Sequence, residues 1–412
     1  MVSRYLLIAS GVLVSMVSAA QTKNLDYFIS TGMSNSPLLN DFRNQAEALR
    51  YDSLLYLAKY KPQVNGTSTN SYAPVIKGFG YDQAITNGAS VNALVGVSKS
   101  FPNRRNIATQ NEFFLLQRRS LDDTSKITEY DLKRNIILQY ITAFGDQEQL
   151  AYNSQIKELL TREEVILKKL TDKNVYRQVD YLSFLVNLHQ QEFTAKQAAL
   201  QYKNDLALLN YLCGIGDTNM VKLDDPGITV TSYIPPEQSI FIRKFETDSL
   251  RLLNEKALID INYRPTFAVS ADAGFNSSLT YQPYKNFGTS FGFSVIVPIY
   301  DGRQRRLQYS KINVAERTRQ GYKAFAVKQY RQQVAQLQQQ LTATEEIISD
   351  ISSQLKYIET LISVNGKLLE AGEVKMTDYI LALNNYLTAR NLVTQNKNSR
   401  LLLINQINYL NR

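Results

Sequence analysis

Several absences bound what this chain can be. There is one cysteine, Cys213, in 412 residues, so no internal disulfide is available and stability must come from packing or assembly. There is one histidine, His189, set among Leu188, Gln190 and Gln191, with neither a second histidine nor a cysteine near it. Neither a metal site nor a nucleophilic triad is visible around it. Acidic residues are plentiful, but no pair recommends itself as a catalytic dyad. The chain reads as no enzyme, with no metal and no cofactor. After the first 20 residues no run reaches the ~18 consecutive apolar residues of a membrane helix. Proline is also missing from two long stretches, between Pro102 and Pro226 and everywhere after Pro298. They cover 123 and 114 residues, which leaves room for helices of unusual length.

The N terminus, MVSRYLLIASGVLVSMVSAA, has a basic start at Arg4, an apolar run from Tyr5 to Val17, and small residues Ser18 and Ala20 before Gln21. Residues 1–20 are therefore expected to be a cleaved secretory signal. The apolar run is too short to span a bilayer comfortably as a helix. No cysteine follows it, which argues against an N-terminal lipid anchor. The net charge of +9 raises the possibility of nucleic acid. Acidic residues are interleaved with the basic ones almost throughout, however, and an exported chain rarely meets nucleic acid. No nucleic-acid partner is expected.

Landmarks in the rest of the chain recur about 200 residues apart, the sign of an internal repeat. Gly96-Val97-Ser98 stands as far before Pro102 as Gly292-Phe293-Ser294 stands before Pro298. Lys61-Pro62 opens one strand region and Arg264-Pro265 the other. Asp180-Tyr181 begins a stretch ending Asn210-Tyr211-Leu212, and Asp378-Tyr379 begins one ending Asn408-Tyr409-Leu410. The expected organisation is a first repeat over 21–213, a linking segment over 214–263, and a second repeat over 264–412.

Each repeat opens with strand-like alternation. Phe267, Val269, Ala271, Ala273 and Phe275 alternate with Ala268, Ser270, Asp272, Gly274 and Asn276. After a polar turn, Phe287, Phe291, Phe293, Val295 and Val297 alternate with Gly288, Ser290, Gly292 and Ser294. In the first half, Val91, Ala93, Val95, Val97 and Phe101 make the same kind of face, against Asn92, Gly96, Ser98 and Ser100. Such alternation fits a sheet packed on soluble helices as well as one facing lipid. The length, about 10 residues, is what a tilted membrane strand needs, and the export signal adds to that.

Each strand pair leads into a helix. From Val327, positions Tyr330, Val334, Leu337, Leu341, Thr344, Ile348, Ile351, Leu355, Ile358 and Ile362 follow a 3-4 spacing, a coiled-coil seam. Leu132, Ile136, Tyr140, Ile141 and Phe144, then Ile156, Leu160, Leu167 and Leu170, form a looser series in the first half. A helix from Arg104 to Leu170 is roughly 100 Å long at 1.5 Å per residue. Each long helix turns, near 171–178 or 371–377, into a shorter one. Four strands cannot close a membrane barrel, for which about eight is the smallest familiar number. An open sheet in lipid leaves backbone groups unpaired at a cost of several kcal/mol each. Several chains must therefore share one barrel. Pro102 and Pro298 end the strands, and Gly302 allows the turn into the helix. Arg104, Arg105, Arg303, Arg305 and Arg306 fall at that boundary, where arginine reaches headgroup phosphates. An ordinary solvated helix start accounts equally well for any single one.

With its twofold strand-strand-helix-helix plan, the joint VPIYDGRQRR and the segment LEAGEVKMTDYILALNNYLTARN, the chain resembles the TolC family of outer-membrane efflux proteins over nearly all of its length after residue 20. The resemblance implies a mainly α fold with a membrane β part. Long coiled-coil helices form an α-barrel, and four strands per chain contribute to a twelve-stranded barrel in a homotrimer. It implies an outer-membrane location with the helical tunnel in the periplasm, and a passive exit duct in contact with outer-membrane lipid. A periplasmic adaptor protein and an inner-membrane efflux pump or ABC transporter are the implied partners. Type I protein secretion uses the same duct and stays open as an alternative, as does a non-channel periplasmic coiled-coil scaffold. In this family acidic residues at the helix turns of the second half form a constriction. Asp378 matches that motif, and Glu373 lies nearby, while the family's second acidic position falls at Leu381. Asp180, the repeat mate of Asp378, and Arg177 are candidates for links that hold the aperture shut. The plainer alternative is that Asp378 is an N-cap-type residue. Tyr72, Tyr81, Tyr281 and Tyr284 are candidates for barrel-rim aromatics.

Overall fold

The computed structural model describes residues 22–82, 88–279 and 282–412. The expected signal segment and Tyr281 lie outside these residues. The chain begins with two helices, α1 (Leu25–Asn35) and α2 (Pro37–Ala58), and then runs through β1 (Gln63–Tyr72), β2 (Ala89–Phe101), the long α3 (Arg104–Asp172) and α4 (Gln178–Leu212). A connecting stretch holds a short 3-10 turn, Pro236–Gln238, and α5 (Ile240–Ile261). The plan then repeats as β3 (Thr266–Ser277), β4 (Phe287–Ile296), α6 (Gln304–Ala371) and α7 (Met376–Leu410). The two strand-strand-helix-helix repeats are thus present. No described helix is long and apolar enough to cross a membrane.

The four strands form one antiparallel sheet in the order β1-β2-β3-β4. Its register turns the alternation into two faces. One row across the sheet reads Val64, Val97, Ala271, Phe291, and the next reads Asn65, Gly96, Asp272, Ser290. Phe267, Val269, Phe275, Phe287, Phe293 and Val295 share the face of the first row. Ser98, Ser270, Gly274, Gly288 and Ser294 share that of the second. Among the described residues β1 pairs only with β2 and β4 only with β3, and every residue of β1 and of β4 is exposed. Phe291 is 85% and Phe293 78% exposed, so no described element covers the apolar face there. Val297, placed with that face on alternation alone, lies just past the end of β4 because pairing stops before Pro298.

The joints into the two long helices are built alike. Asn103 Oδ1 accepts the Arg105 N–H at 3.0 Å. Asp301 accepts the N–H groups of Arg303 and Arg305 at 2.9 and 2.8 Å, satisfying orphan donors of the first helical turn. Gly302, at φ +65°, supplies a left-handed residue that a side chain disfavours. Arg305, though exposed, is held against the end of α5. Its guanidinium Nε donates to Asp260 Oδ1 at 3.1 Å and stacks 5.3 Å from the Tyr263 ring centre. Tyr309 donates to the same Asp260 oxygen. Burial alone would raise the Asp260 pKa, but these hydrogen bonds outweigh it and hold the carboxyl below the usual range. Arg305→Ala should lower the melting temperature, and Arg305→Lys should recover little of it, because an ammonium cannot reproduce the forked contact. Full recovery by lysine in a thermal melt would reduce Arg305 to a point charge.

The seam on α6 is real. Tyr330, Val334, Leu337 and Leu355 are buried, and Leu341, Thr344, Ile348, Ile351, Ile358 and Ile362 are half-buried. By packing, the chain divides into two compact units, each taking part of each repeat. One contains Glu129–Tyr233 and Gln333–Asn411 with residues 22–36, and the other contains Pro37–Thr128 and Ile234–Gln332. The sheet belongs to the second. In the first, Leu25 and Phe28 of α1 pack on Ile136, Tyr140 and Ala143 of α3 and on Tyr202, Leu206 and Leu209 of α4. The buried Tyr140 hydroxyl donates to Asp224 O at 2.7 Å, satisfying its polar tip.

Candidate functional site

The α3–α4 and α6–α7 turns carry the sequence's candidate aperture residues, and they share one geometry. α3 ends with Asn174 left-handed at φ +60°, and the Val175 N–H donates back to Leu170 O at 2.9 Å. α6 ends with Gly372 at φ +76°, and the Glu373 N–H donates back to Leu368 O at 2.8 Å. Both are Schellman-type endings, which need a left-handed residue at this position. The turns pack against each other. A Cβ on Gly372 would meet Val175 Cγ1 at 2.6 Å, and the Tyr176 hydroxyl donates to Val374 O at 2.8 Å. Beneath them Leu167, Tyr176, Phe184, Leu369, Met376, Tyr379 and Leu383 form one buried cluster.

The candidate residues stand on this platform in two different ways. Arg177 is the N-cap of α4 and Asp180 lies in its first turn, and the guanidinium Nε donates to Asp180 Oδ2 at 3.1 Å. Asp180 Oδ2 also accepts the Arg177 N–H at 3.3 Å, reaching back across the helix start as in a capping box. Hydrogen bonds from Arg177 hold the Asp180 carboxyl below its ordinary range. Within one chain this pair closes on its own helix. Asp378 is the third residue of α7, and Lys375 takes the N-cap position, so it is not the N-cap that local sequence allows. Asp378 and Glu373 are exposed and form no ion pair among the described residues. Leu381, at the family's second acidic position, is 60% exposed. All five joint arginines, Arg104, Arg105, Arg303, Arg305 and Arg306, are exposed, and Arg305 is in addition paired with Asp260.

Sequence reasoning missed two acidic features. Glu163 of α3 is 7% exposed with Oε2 unpartnered, and burial, reinforced by Glu370, pushes its pKa up. Asp146 of α3 faces Asp205 of α4. Gln139 donates to Asp205 Oδ1 at 3.0 Å, and Asp146 Oδ2 is buried without a partner. Burial, then the hydrogen bond and charge of Asp205, push Asp146 up to about 7. Asp146 holds its proton more tightly folded than unfolded, so its stabilising share is complete below pH ~4 and is lost as pH rises through about 7. Discounted for solvent screening, that loss is on the order of 1–2 kcal/mol. Asp146→Asn should flatten the fall in stability between these limits. An unchanged slope in melts across that range would assign the effect to other groups.

The fold is that of the TolC-type outer-membrane channels. A structure of CusC, described in terms of transmembrane channel formation, aligns with TM-score 0.74 at 13% identity over 95% of each chain. The CmeC outer membrane channel of Campylobacter jejuni aligns with TM-score 0.72 at 12% identity, over 94% of this chain and 85% of its own. The open-state MtrE outer membrane channel of Neisseria gonorrhoeae aligns with TM-score 0.73 at 12% identity, over 94% and 88%. No family model and no curated protein matches the chain. The likeness therefore lies in the fold.

Proposed function

We propose that the chain is a TolC-family outer-membrane channel, acting as a homotrimer and a passive exit duct. An inner-membrane efflux pump or ABC transporter would deliver substrate to it through a periplasmic adaptor. The observation that carries this reading is the sheet. Over β2–β4 it has one apolar and one polar face, with no cover from the described residues, and its ten-residue edges at β1 and β4 lack partners among them. In lipid such edges must be paired, and a second copy presents the matching edge. The neighbours' description as outer-membrane channels supports the location. A ring of Asp378 carboxylates, one per chain, would then favour cations at the tunnel's narrow end.

Two measurements test this. The detergent-corrected mass of the particle extracted from outer membranes should equal three chains, and a monomer would sink the shared barrel. In planar bilayers Asp378→Asn should lower the preference for potassium over chloride. An unchanged reversal potential would remove Asp378 from the constriction while leaving the duct intact.

A further inference from the structure

In the unit that holds the turns, α4 and α6 each carry a second seam besides the one that fixes them to the chain. Phe184 and Leu188 bury the inner side of α4 in the cluster beneath the turns, and Leu355 joins α6 to Ala389 and Val393 of α7. On another side of α4, Leu182, Val186, His189, Phe193, Lys196 and Leu200 follow one another at spacings of four and three, and every one is exposed. Ile347, Asp350, Gln354, Tyr357, Leu361 and Val364 do the same along α6. Both series have coiled-coil spacing. Phe193 is 61% and Tyr357 79% exposed, so neither seam covers the other within the chain.

The two seams match level by level. The two turns pack against each other, so distances up α4 from its start and up α6 from its end share one origin. At about 1.5 Å per residue, Val186 stands ~12 Å up and Val364 ~10 Å, and Phe193 ~22 Å and Tyr357 ~21 Å. Leu200 and Ile347 follow at ~33 and ~36 Å. The charges keep the same order. Lys196 falls between Phe193 and Leu200, and Asp350 falls between Tyr357 and Ile347. Neither has an ion-pair partner among the described residues, whereas Lys157 and His189 both reach Glu192.

We propose that the α4 seam of one copy packs along the α6 seam of the next, with Lys196 paired to Asp350 across the junction. The proposal rests on the reading of several copies around one duct and names the helical contact that joins them. A rotation axis parallel to the helices leaves every level unchanged, so the next copy presents Tyr357 to Phe193 and Asp350 to Lys196. Each chain offers one seam of each kind, and a closed ring leaves neither bare.

Cysteine cross-linking in purified particles and in whole cells tests the pairing. The native Cys213 is buried, and the parent protein supplies the blank. Phe193→Cys combined with Tyr357→Cys, treated with a short bismaleimide, should run on denaturing gels as covalent multiples of the chain. Each single variant should stay monomeric. Lys196→Glu and Asp350→Lys should each shorten the half-life of the particle in detergent roughly tenfold, because like charges then meet in the seam. The two together should restore it to within about twofold. A particle with the mass of three chains that gives no covalent multiples would overturn the seam and leave the assembly standing, whereas a particle of one chain would remove both. A product that forms only in cells, at a mass that is no multiple of the chain, would give the seam to another partner and overturn the pairing. Single charge changes that leave the half-life at the parent's value would overturn the Lys196–Asp350 contact.

Discussion

Phe291→Arg will strip the protein from the outer-membrane fraction, and Ser290→Arg, one residue away, will leave it there. The two positions belong to adjacent rows of the same sheet. Phe291 continues the row Val64, Val97, Ala271, and Ser290 continues the row Asn65, Gly96, Asp272. Phe291 is 85% exposed in the single chain, on the face that lipid must cover if the sheet is part of a barrel. An arginine at bilayer depth costs about 2–4 kcal/mol per chain, and the cost recurs in each copy around the ring. Ser290 already donates to Asp272 Oδ2 at 2.7 Å. An arginine there meets a carboxylate on the polar face, so the same added charge is neutralised. Membrane fractionation with gel mobility before and after boiling reads both. Should Phe291→Arg insert like the parent, or Ser290→Arg fail equally, the apolar face is not the lipid face.

Much of this contrast is legible in the sequence, because a strand's side chains alternate with a period of two and the proline landmarks say where each strand stops. The seam of α6 is legible for a similar reason. Tyr330, Val334 and Leu337 repeat at the spacing of one helix face, and the structure buries all three. Contacts within a few residues also show, such as Arg177 with Asp180 across one helical turn. Contacts between distant segments do not. Arg305 reads as one more basic residue at a helix start until Asp260, 45 residues earlier, is brought beneath it. Gly145 reads only as a weak point in α3. In the fold a Cβ at that position would fall 2.6 Å from Asn398 Cγ on α7, so the glycine marks where two helices approach closely. The Asp146–Asp205 pair is hidden for the same reason, since side chains on different helices meet only after the helices have been aligned. The proposed aperture would lie one level further out. Asp378 and Glu373 project from a turn whose platform is complete within one chain, and a constriction is a property of several copies.

Gly274→Val will be far more damaging than Gly288→Val, although the two glycines face each other across β3 and β4. A Cβ on Gly274 would overlap the Ala93 carbonyl oxygen and come within 2.8 Å of Leu94 Cα. Both are backbone atoms fixed by the β2–β3 ladder, which pairs Leu94 with Gly274. A flexible side chain can turn away from such an overlap, but a paired strand cannot, so valine must open the ladder at the middle of the sheet. The expected loss is about 3–5 kcal/mol, the range in which single substitutions report a definite structural fault. At Gly288 nothing lies within 4 Å of the added Cβ, and the change should stay within about 0.5 kcal/mol. Urea midpoints of the folded, heat-modifiable form would read the difference. Equal damage at both sites would point to crowding on the polar face as a whole, and tolerance at Gly274 would mean that β3 does not lie against β2 in this register. The comparison is strict because a slip of one residue turns every side chain to the opposite face. The slip that carried Gly274 away from Ala93 would also place Phe291 and Ser290 on exchanged faces, so tolerance at Gly274 would go with a reversed outcome for the arginine pair.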